Sequence, residues 1–133
     1  MVEGLSHITF IVKDLDRMEQ VLIKVLDAQR IYASAGQQFS LSEERFYDVG
    51  GIWIAVMKGE PLPSQTYNHV AFKIPDREYE ERLIAVRALG LDVREGRPRV
   101  QGEGRSIYFY DHDNHLFELH TGTLADRLER YQS

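Results

Sequence analysis

The sequence predicts an α+β fold in which two paired β-α-β-β-β modules form a curved mixed sheet around a metal site. Three observations lead to this prediction: a short internal repeat, a helical pattern after each copy of it, and potential metal ligands on equivalent strands. The chain has 133 residues, of which 43% are hydrophobic, and this is enough for one compact domain with a filled core.

The internal repeat opens each half of the chain. The segment SHITFIVKD at residues 6–14 matches NHVAFKIPD at residues 68–76, with histidine, phenylalanine and aspartate at the same positions. Side chains alternate between the two faces of a strand, and the buried positions of the first copy are apolar. Each copy therefore predicts a strand that leads into a helix.

A helix is expected after each copy of the repeat. Asp14 is a suitable N-cap for the first helix, because the apolar positions of residues 15–26 are spaced by three and four. The same spacing recurs over residues 79–89 after Asp76, and Gly90 is suited to end that helix. Each helix therefore has one face to bury against its sheet.

The remaining strands are predicted from short β-branched and aromatic runs bounded by turn residues. They are expected near residues 29–34, 45–49, 52–58, 91–95, 106–110 and 116–120. The glycine pair at 50–51 and the polar turn at 111–115 each connect two neighbouring strands.

The domain prediction is a single domain over residues 1–133. It comprises module 1 at about 1–60, module 2 at about 66–121 and an amphipathic C-terminal helix at about 122–133, with the joint between modules at 61–64.

Composition argues against several classes of function. The net charge of −5 gives no basic footprint for nucleic acid, and the absence of cysteine excludes disulfides and thiolate ligands. The N-terminal apolar run is too short to span a bilayer, so the expectation is a cytoplasmic protein without a membrane partner. A local anion pocket remains possible, because Arg94, Arg97, Arg99 and Arg105 lie within residues 94–105 and Arg127 follows. The glycine-rich segment 96–106 is expected to approach a ligand closely; a solvated basic loop is the alternative.

Strand parity, meaning the alternation of side chains between the two faces of a strand, places three potential metal ligands on comparable faces. His7, His69 and Glu118 all point away from the helix side of their strands. A carboxylate in an apolar strand needs a cation, a proton or hydrogen-bond donors. Two imidazoles and a carboxylate suit a divalent first-row ion and leave positions open for catalysis. Polar strand residues with a purely structural role are the alternative.

Three further histidines are expected to have lesser roles. His112 and His115 are predicted to lie on a solvent-facing turn, whereas His120 shares the face of Glu118 and either supports the site or is structural.

The sequence resembles the vicinal-oxygen-chelate superfamily and, within it, the fosfomycin-resistance branch. The resemblance covers the whole chain and rests on GLSHITFIVKDL, TYNHVAF and GEGRSIYFYDHDNHLFELHTGTL. It is greatest for the hydrolytic FosX type, rather than for the glutathione or bacillithiol transferases. The segment around Arg97 and Arg99 departs from the lysine and serine pattern of the potassium-binding glutathione enzymes.

The resemblance implies a function and a set of site residues. It implies Mn²⁺ on His7, His69 and Glu118, although ligand type alone also suits Fe²⁺, Co²⁺, Ni²⁺ or Zn²⁺. It implies that water opens the oxirane of fosfomycin to a vicinal diol, with Glu44 as general base, and that a homodimer shares each site between its chains. Taken alone, Glu44 reads as an exposed loop residue.

The resemblance also implies contacts with the phosphonate and the oxirane. The residues that it assigns to substrate binding are Thr9, Trp53, Tyr67, Ser106, Tyr108 and Arg127. Thr9 and Tyr108 already stand out by parity, although both are ordinary strand residues in the plainer interpretation.

Three alternative functions use the same fold. A thiol transferase would open the epoxide with glutathione, cysteine or bacillithiol, and an extradiol-type dioxygenase would use the same ligand set for ferrous iron. A drug-sequestering protein is expected to lack the complete triad of ligands.

Overall fold

Eight strands and three α-helices are present in the residues that this computed structural model describes, which are 1–35, 42–94 and 104–132. In chain order they are β1 (His7–Val12), α1 (Leu15–Leu26), β2 (Gln29–Ala33), β3 (Glu44–Val49), β4 (Ile52–Lys58), β5 (His69–Lys73), α2 (Tyr79–Ala88), β6 (Asp92–Arg94), β7 (Ser106–Tyr110), β8 (Leu116–His120) and α3 (Leu124–Gln132). Arg97 and Arg99 lie outside the described residues.

The strands form two four-stranded mixed sheets with the same topology, which confirms the predicted fold class. The first sheet has the order β1-β4-β3-β2 and the second has the order β5-β8-β7-β6. β1 is parallel to β4 and β5 is parallel to β8, whereas the other neighbouring strands are antiparallel. Each module therefore places its opening histidine strand beside its final strand.

The chain divides into two compact units. One comprises residues 1–64 with 112–114, and the other comprises residues 65–111 with 115–133. No helix in the described ranges is long and apolar enough to cross a membrane.

Helix α1 covers one face of the first sheet. The carboxylate of Asp14 accepts a hydrogen bond from the Arg17 backbone N–H at 3.1 Å, which confirms the predicted N-cap. The buried side of the helix runs from Leu15 to Leu26 at the predicted spacing. Beneath it the fully buried Tyr47 donates its hydroxyl to Glu19 at 2.8 Å. Burial and this carboxylate raise the pKa of Tyr47 to about 12.

The opposite face of the first sheet is the face that the sequence assigned to potential ligands. On β1 the side chains of Phe10 and Val12 are buried, whereas His7 and Thr9 are exposed. The register extends this face to β4, because His7 lies opposite Trp53. Strand parity was therefore correct for β1, and the same alternation recurs on β5.

The hairpin between β3 and β4 fixes the register of the first sheet. Gly50 and Gly51 have φ angles of 57° and 87°, values that favour glycine and fit a two-residue turn. Val49 consequently pairs with Ile52, and Glu44 pairs with Met57.

Candidate metal centre and adjoining cavity

His69 and Glu118 come together on the open face of the second sheet. Glu118 lies on β8 opposite Ala71, two residues after His69 on β5. This register brings His69 Nε2 to 3.1 Å from Glu118 Oε1. The side chain of Glu118 is only 7% exposed, so the pair lies in a region where an uncompensated negative charge is costly.

The hydrogen bonding of His69 shows why this pair suits a cation. The carbonyl oxygen of Tyr67 lies 2.7 Å from His69 Nδ1 and can only accept, so Nδ1 carries the proton. In the neutral imidazole, Nε2 then carries no proton, and its lone pair faces a carboxylate oxygen. Two acceptors at this distance require a proton or a metal ion. Two ligand bonds of about 2.1 Å at right angles would place their atoms roughly 3.0 Å apart, in agreement with the observed pair.

The second oxygen of Glu118 is held by the neighbouring strand. Ser106 on β7 donates its hydroxyl to Glu118 Oε2 at 2.6 Å, and the same hydroxyl lies 2.8 Å from His120 Nδ1. Tyr108 lies directly opposite Glu118 in the register, as parity predicted. The carboxylate is therefore oriented with Oε1 towards His69 and Oε2 towards Ser106.

Two tyrosines border the same pair. Tyr67 donates its hydroxyl to that of Tyr108 at 3.3 Å, and the Tyr108 ring lies edge-on to His69 with a centroid distance of 5.5 Å. Burial, the hydrogen bond with Tyr67 and the charge of Glu118 raise the pKa of Tyr108 well above its usual range. Tyr108 is therefore a neutral hydroxyl donor near neutral pH.

His7 lies in the first unit, on an aromatic platform. Its ring stacks on Trp53 with a centroid distance of 4.1 Å, and Ser6 Oγ lies 3.0 Å from Nδ1. Thr9 shares this exposed face two residues further along β1. The stacking fixes the plane of the imidazole ring, whose Nε2 is the nitrogen that Ser6 does not contact.

The predicted triad is divided between the two units. His69 and Glu118 belong to the second unit, and His7 belongs to the first. Within the described part of the chain, no group of three or more histidine, cysteine, aspartate or glutamate side chains is close enough together to hold a metal ion.

Glu44 occupies a different environment from the one expected. It is the first residue of β3 and is only 8% exposed, so the interpretation as an exposed loop residue was wrong. The strand begins one residue earlier than predicted because Ser34 pairs with Glu44: the Ser34 backbone N–H donates to the Glu44 carbonyl oxygen, and the Glu44 N–H donates to Ser34 Oγ. In the alternation of β3, Glu44 falls on the same face as His7 and Thr9.

Arg127 and Glu118 both line a cavity of about 240 Å³ in the second unit. Arg127 lies in the first turns of α3, and its Nη2 is 3.5 Å from His120 Nε2. A guanidinium and a candidate metal ligand thus share one concave site. Such a site suits a small anion that also binds a metal.

Two glycines bring the segment before β7 close to the start of α3. Gly104 has a φ of 81°, and a Cβ atom added there would lie 2.6 Å from the backbone nitrogen of Gly122. Only glycine permits this approach without a shift of the backbone. At Gly104 the close approach is therefore to the backbone of the same chain, and residues 96–103 of the glycine-rich segment lie outside the described residues.

The turn between β7 and β8 departs from the sequence expectation. His112 is exposed as predicted, but His115 is largely buried and its Nδ1 lies 2.8 Å from Asp111 Oδ2. Its placement on a solvent-facing turn was wrong, because the carboxylate of Asp111 folds back over the turn and also accepts from the His115 backbone N–H. The contacts of His120 with Ser106 and Arg127 could be found only from the positions of the side chains. In the sequence, the one signal for them was that His120 lies on the same strand face as Glu118.

The fold and the site define a class of protein: β-α-β-β-β modules whose open sheet faces carry histidine and glutamate side chains suited to a metal ion. A family model described as the Glyoxalase/Bleomycin resistance protein/Dioxygenase superfamily matches residues 4–119. Fosfomycin resistance protein FosX from Mesorhizobium japonicum is 60% identical over 130 residues, which cover 98% of this chain and 94% of that protein. Fosfomycin resistance protein FosX from Listeria monocytogenes is 54% identical over 98% of each chain.

A solved structure supports the same relationship. A mutant of FosX from Listeria monocytogenes, complexed with Mn(II) and 1S,2S-dihydroxypropylphosphonic acid, matches with a TM-score of 0.89 and 52% identity, and the match covers 98% of this chain and 99% of that one. Metallothiol transferase FosB from Bacillus licheniformis is more distant, at 35% identity. The chain therefore belongs to the Glyoxalase/Bleomycin resistance protein/Dioxygenase superfamily and, within it, to the FosX family of fosfomycin resistance proteins.

Proposed function

We propose that the protein is a manganese-dependent epoxide hydrolase that adds water to the oxirane of fosfomycin, gives a vicinal diol and so confers fosfomycin resistance. The observation that carries the proposal is the pair of His69 Nε2 and Glu118 Oε1, which requires a proton or a metal ion between its two acceptors. The FosX relative with bound Mn(II) and a dihydroxypropylphosphonic acid supports the same assignment, because that ligand is the diol expected from hydration of fosfomycin.

The proposed metal ligands are His7, His69 and Glu118. When bound, Mn²⁺ would act as a Lewis acid that polarises the oxirane oxygen and stabilises the negative charge of the leaving alkoxide. The chain's own part is to hold the ligands in place: Tyr67 fixes the tautomer of His69, and Ser106 fixes one oxygen of Glu118.

We also propose that the active unit is a homodimer in which each site takes His7 from one chain and the other two ligands from its partner. The two modules are equivalent, but their ligands are not. Ala55 in the first sheet occupies the position that Glu118 occupies in the second, because Ala55 lies opposite Thr9 and Glu118 lies opposite the equivalent Ala71. The first unit therefore supplies a histidine without a carboxylate at this position, and the second unit supplies both.

The phosphonate would be anchored mainly by Arg127, since a planar guanidinium binds a tetrahedral oxyanion with two N–H groups. Thr9 and the neutral Tyr108 would supply hydroxyl donors to the substrate. Trp53 and Tyr67 would each offer aromatic surface to the substrate, and Ser106 would contact it while it orients Glu118.

Glu44 is the proposed general base. It is a buried carboxylate on the face that also carries His7, so it can accept a proton from a water molecule held near the substrate. A thiol nucleophile would not need this base to the same extent, because a thiolate can be supplied already ionised.

We further propose a cytoplasmic location, which suits a chain that contains no cysteine and so does not depend on disulfides.

The proposal is tested by phosphorus NMR of fosfomycin incubated with the protein. With Mn²⁺ alone the expected product is 1,2-dihydroxypropylphosphonate, and addition of glutathione, cysteine or bacillithiol should leave the rate unchanged. A thiol adduct formed only when thiol is present, with no diol in its absence, would contradict the proposal and assign the protein to the thiol transferases.

A further inference from the structure

We propose that His120 is a positioning residue that links the phosphonate-anchoring Arg127 to the metal ligand Glu118 through Ser106. This inference rests on the proposed function for the roles of Arg127 and Glu118. The link consists of three consecutive contacts: Arg127 Nη2 to His120 Nε2 at 3.5 Å, His120 Nδ1 to Ser106 Oγ at 2.8 Å, and Ser106 Oγ to Glu118 Oε2 at 2.6 Å.

The groups at the two ends of this link, Arg127 and Glu118, fix the direction of every hydrogen bond between them. A carboxylate only accepts and a guanidinium only donates. Ser106 has one hydroxyl proton, which it donates to Glu118 Oε2, so its oxygen accepts from His120 Nδ1. His120 then carries its proton on Nδ1 and presents a lone pair on Nε2, as the N–H of Arg127 requires. The structure thus assigns one neutral tautomer to His120.

The consequence for the metal centre is orientational. Glu118 has two oxygens, of which Oε1 faces His69 at 3.1 Å and Oε2 faces Ser106. The hydroxyl proton of Ser106 can turn to suit its partners, and the bond that its oxygen accepts from His120 favours the orientation in which the proton points to Oε2. His120 therefore keeps the Ser106 proton on Oε2 and leaves Oε1 available for the ion.

The consequence for substrate binding is that Arg127 is held by the same residue. Arg127 lines the 240 Å³ cavity together with His120 and Glu118, and its long side chain loses rotamer freedom when it is bound. A contact to His120 Nε2 reduces this loss before the phosphonate arrives. One imidazole thus prepares both the anion anchor and the metal ligand.

The tautomer can be measured without any substrate. Nitrogen-15 NMR of histidine-labelled, metal-free protein resolves protonated from unprotonated ring nitrogens, and the His120 signals are identified by their loss in His120→Asn. The expected result is a protonated Nδ1 and an unprotonated Nε2. A protonated Nε2 with an unprotonated Nδ1 would overturn the proposal, because His120 could then neither donate to Ser106 nor accept from Arg127.

Two substitutions separate the two ends of the link. The side-chain amide nitrogen of asparagine lies at about the position of histidine Nδ1, whereas the terminal group of glutamine reaches about the position of Nε2. His120→Asn should keep the bond to Ser106 and Mn²⁺ affinity near that of wild type, but weaken binding of methylphosphonate severalfold. His120→Gln should do the opposite, with a loss of Mn²⁺ affinity of about tenfold.

Mn²⁺ binding is followed by electron paramagnetic resonance of the free ion, and methylphosphonate binding by calorimetry on the manganese-loaded protein. Ser106→Ala should match the Mn²⁺ loss of His120→Gln, and His112→Asn, at an exposed histidine, is the control. Circular dichroism checks the fold. Equal effects of His120→Asn and His120→Gln on both ligands, or no effect of either, would overturn the proposal. Since none of these readouts uses fosfomycin, failure of the hydrolase assignment would be seen separately.

Discussion

His69 Nε2 and Glu118 Oε1 face each other at 3.1 Å across the parallel strands β5 and β8, while the Tyr67 carbonyl oxygen accepts the proton of His69 Nδ1. The pair needs a proton or a metal ion between its two acceptors, and a bound metal ion would satisfy both. This relationship links the metal centre to the stability of the fold.

The first prediction concerns metal-linked stability. Mn²⁺ at about a hundred times its Kd should raise the free energy of unfolding of the wild type by about 2.7 kcal/mol. His69→Ala and Glu118→Ala should show little of this gain at the same Mn²⁺ concentration, because each removes a ligand. Thermal unfolding with and without Mn²⁺ measures the effect, and His112→Ala serves as the control. An undiminished gain in His69→Ala would remove that residue from the ligand set.

The second prediction concerns the sharing of sites between chains. His7→Ala and Glu118→Ala should each be inactive, but a refolded mixture should recover activity, since one site of each mixed dimer then has all its ligands. Random pairing makes half of the dimers mixed, so the recovery should approach about a quarter of the wild-type rate. A mixture that stays inactive although mixed dimers are detected by mass spectrometry would contradict shared sites.

The third prediction concerns the general base. Glu44→Gln keeps the size of the side chain but cannot take a proton, so diol formation should fall about a hundredfold or more while Mn²⁺ affinity is retained. The neighbouring Glu43 is exposed and offers a matched control, because Glu43→Gln should leave the rate unchanged. Steady-state rates and Mn²⁺ titrations measure both effects. Full activity of Glu44→Gln would leave the metal centre in place but exclude this residue as the base.

Local pattern was enough to predict most of the fold. The repeat, the helical stripe after Asp14 and the alternation along β1 each depend on neighbours in the chain, and the structure confirms them. Strand parity also placed Tyr108 and Glu118 on one face, because alternation is a property of the strand itself.

What the sequence did not predict depends on contacts between distant residues. The burial of Glu44 follows from its pairing with Ser34, and the burial of His115 follows from the fold of its turn around Asp111. Neither contact has a periodic signature. The bridging position of His120 depends on side-chain rotamers of three elements, which no one-dimensional pattern specifies.

The fourth prediction concerns the pH dependence of stability. The pKa of Tyr47 is raised to about 12 in the folded protein by burial and by Glu19, against about 10 in the unfolded chain. A raised pKa means that the folded state holds the proton more tightly. The stabilisation from Tyr47 is therefore complete below about pH 10 and is lost as the pH rises from about 10 through about 12.

Urea unfolding between about pH 9 and about pH 11.5 tests this dependence. Tyr47→Phe should be less stable than wild type near neutral pH and should lose less stability over the alkaline range. Tyr131→Phe, at a tyrosine that is 59% exposed, is the control and should follow the wild type. Parallel curves for wild type and Tyr47→Phe would show that Tyr47 does not resist ionisation in the folded state.

In the proposed mechanism the nucleophile is water, activated within a manganese site. The most direct measurement is mass spectrometry of the product formed from fosfomycin in oxygen-18 water with Mn²⁺ and no thiol. The expected product is a diol that carries one oxygen-18 atom on carbon, formed by the wild type and almost absent with Glu44→Gln. A product without oxygen-18 on carbon, or no product until a thiol is added, would contradict this mechanism.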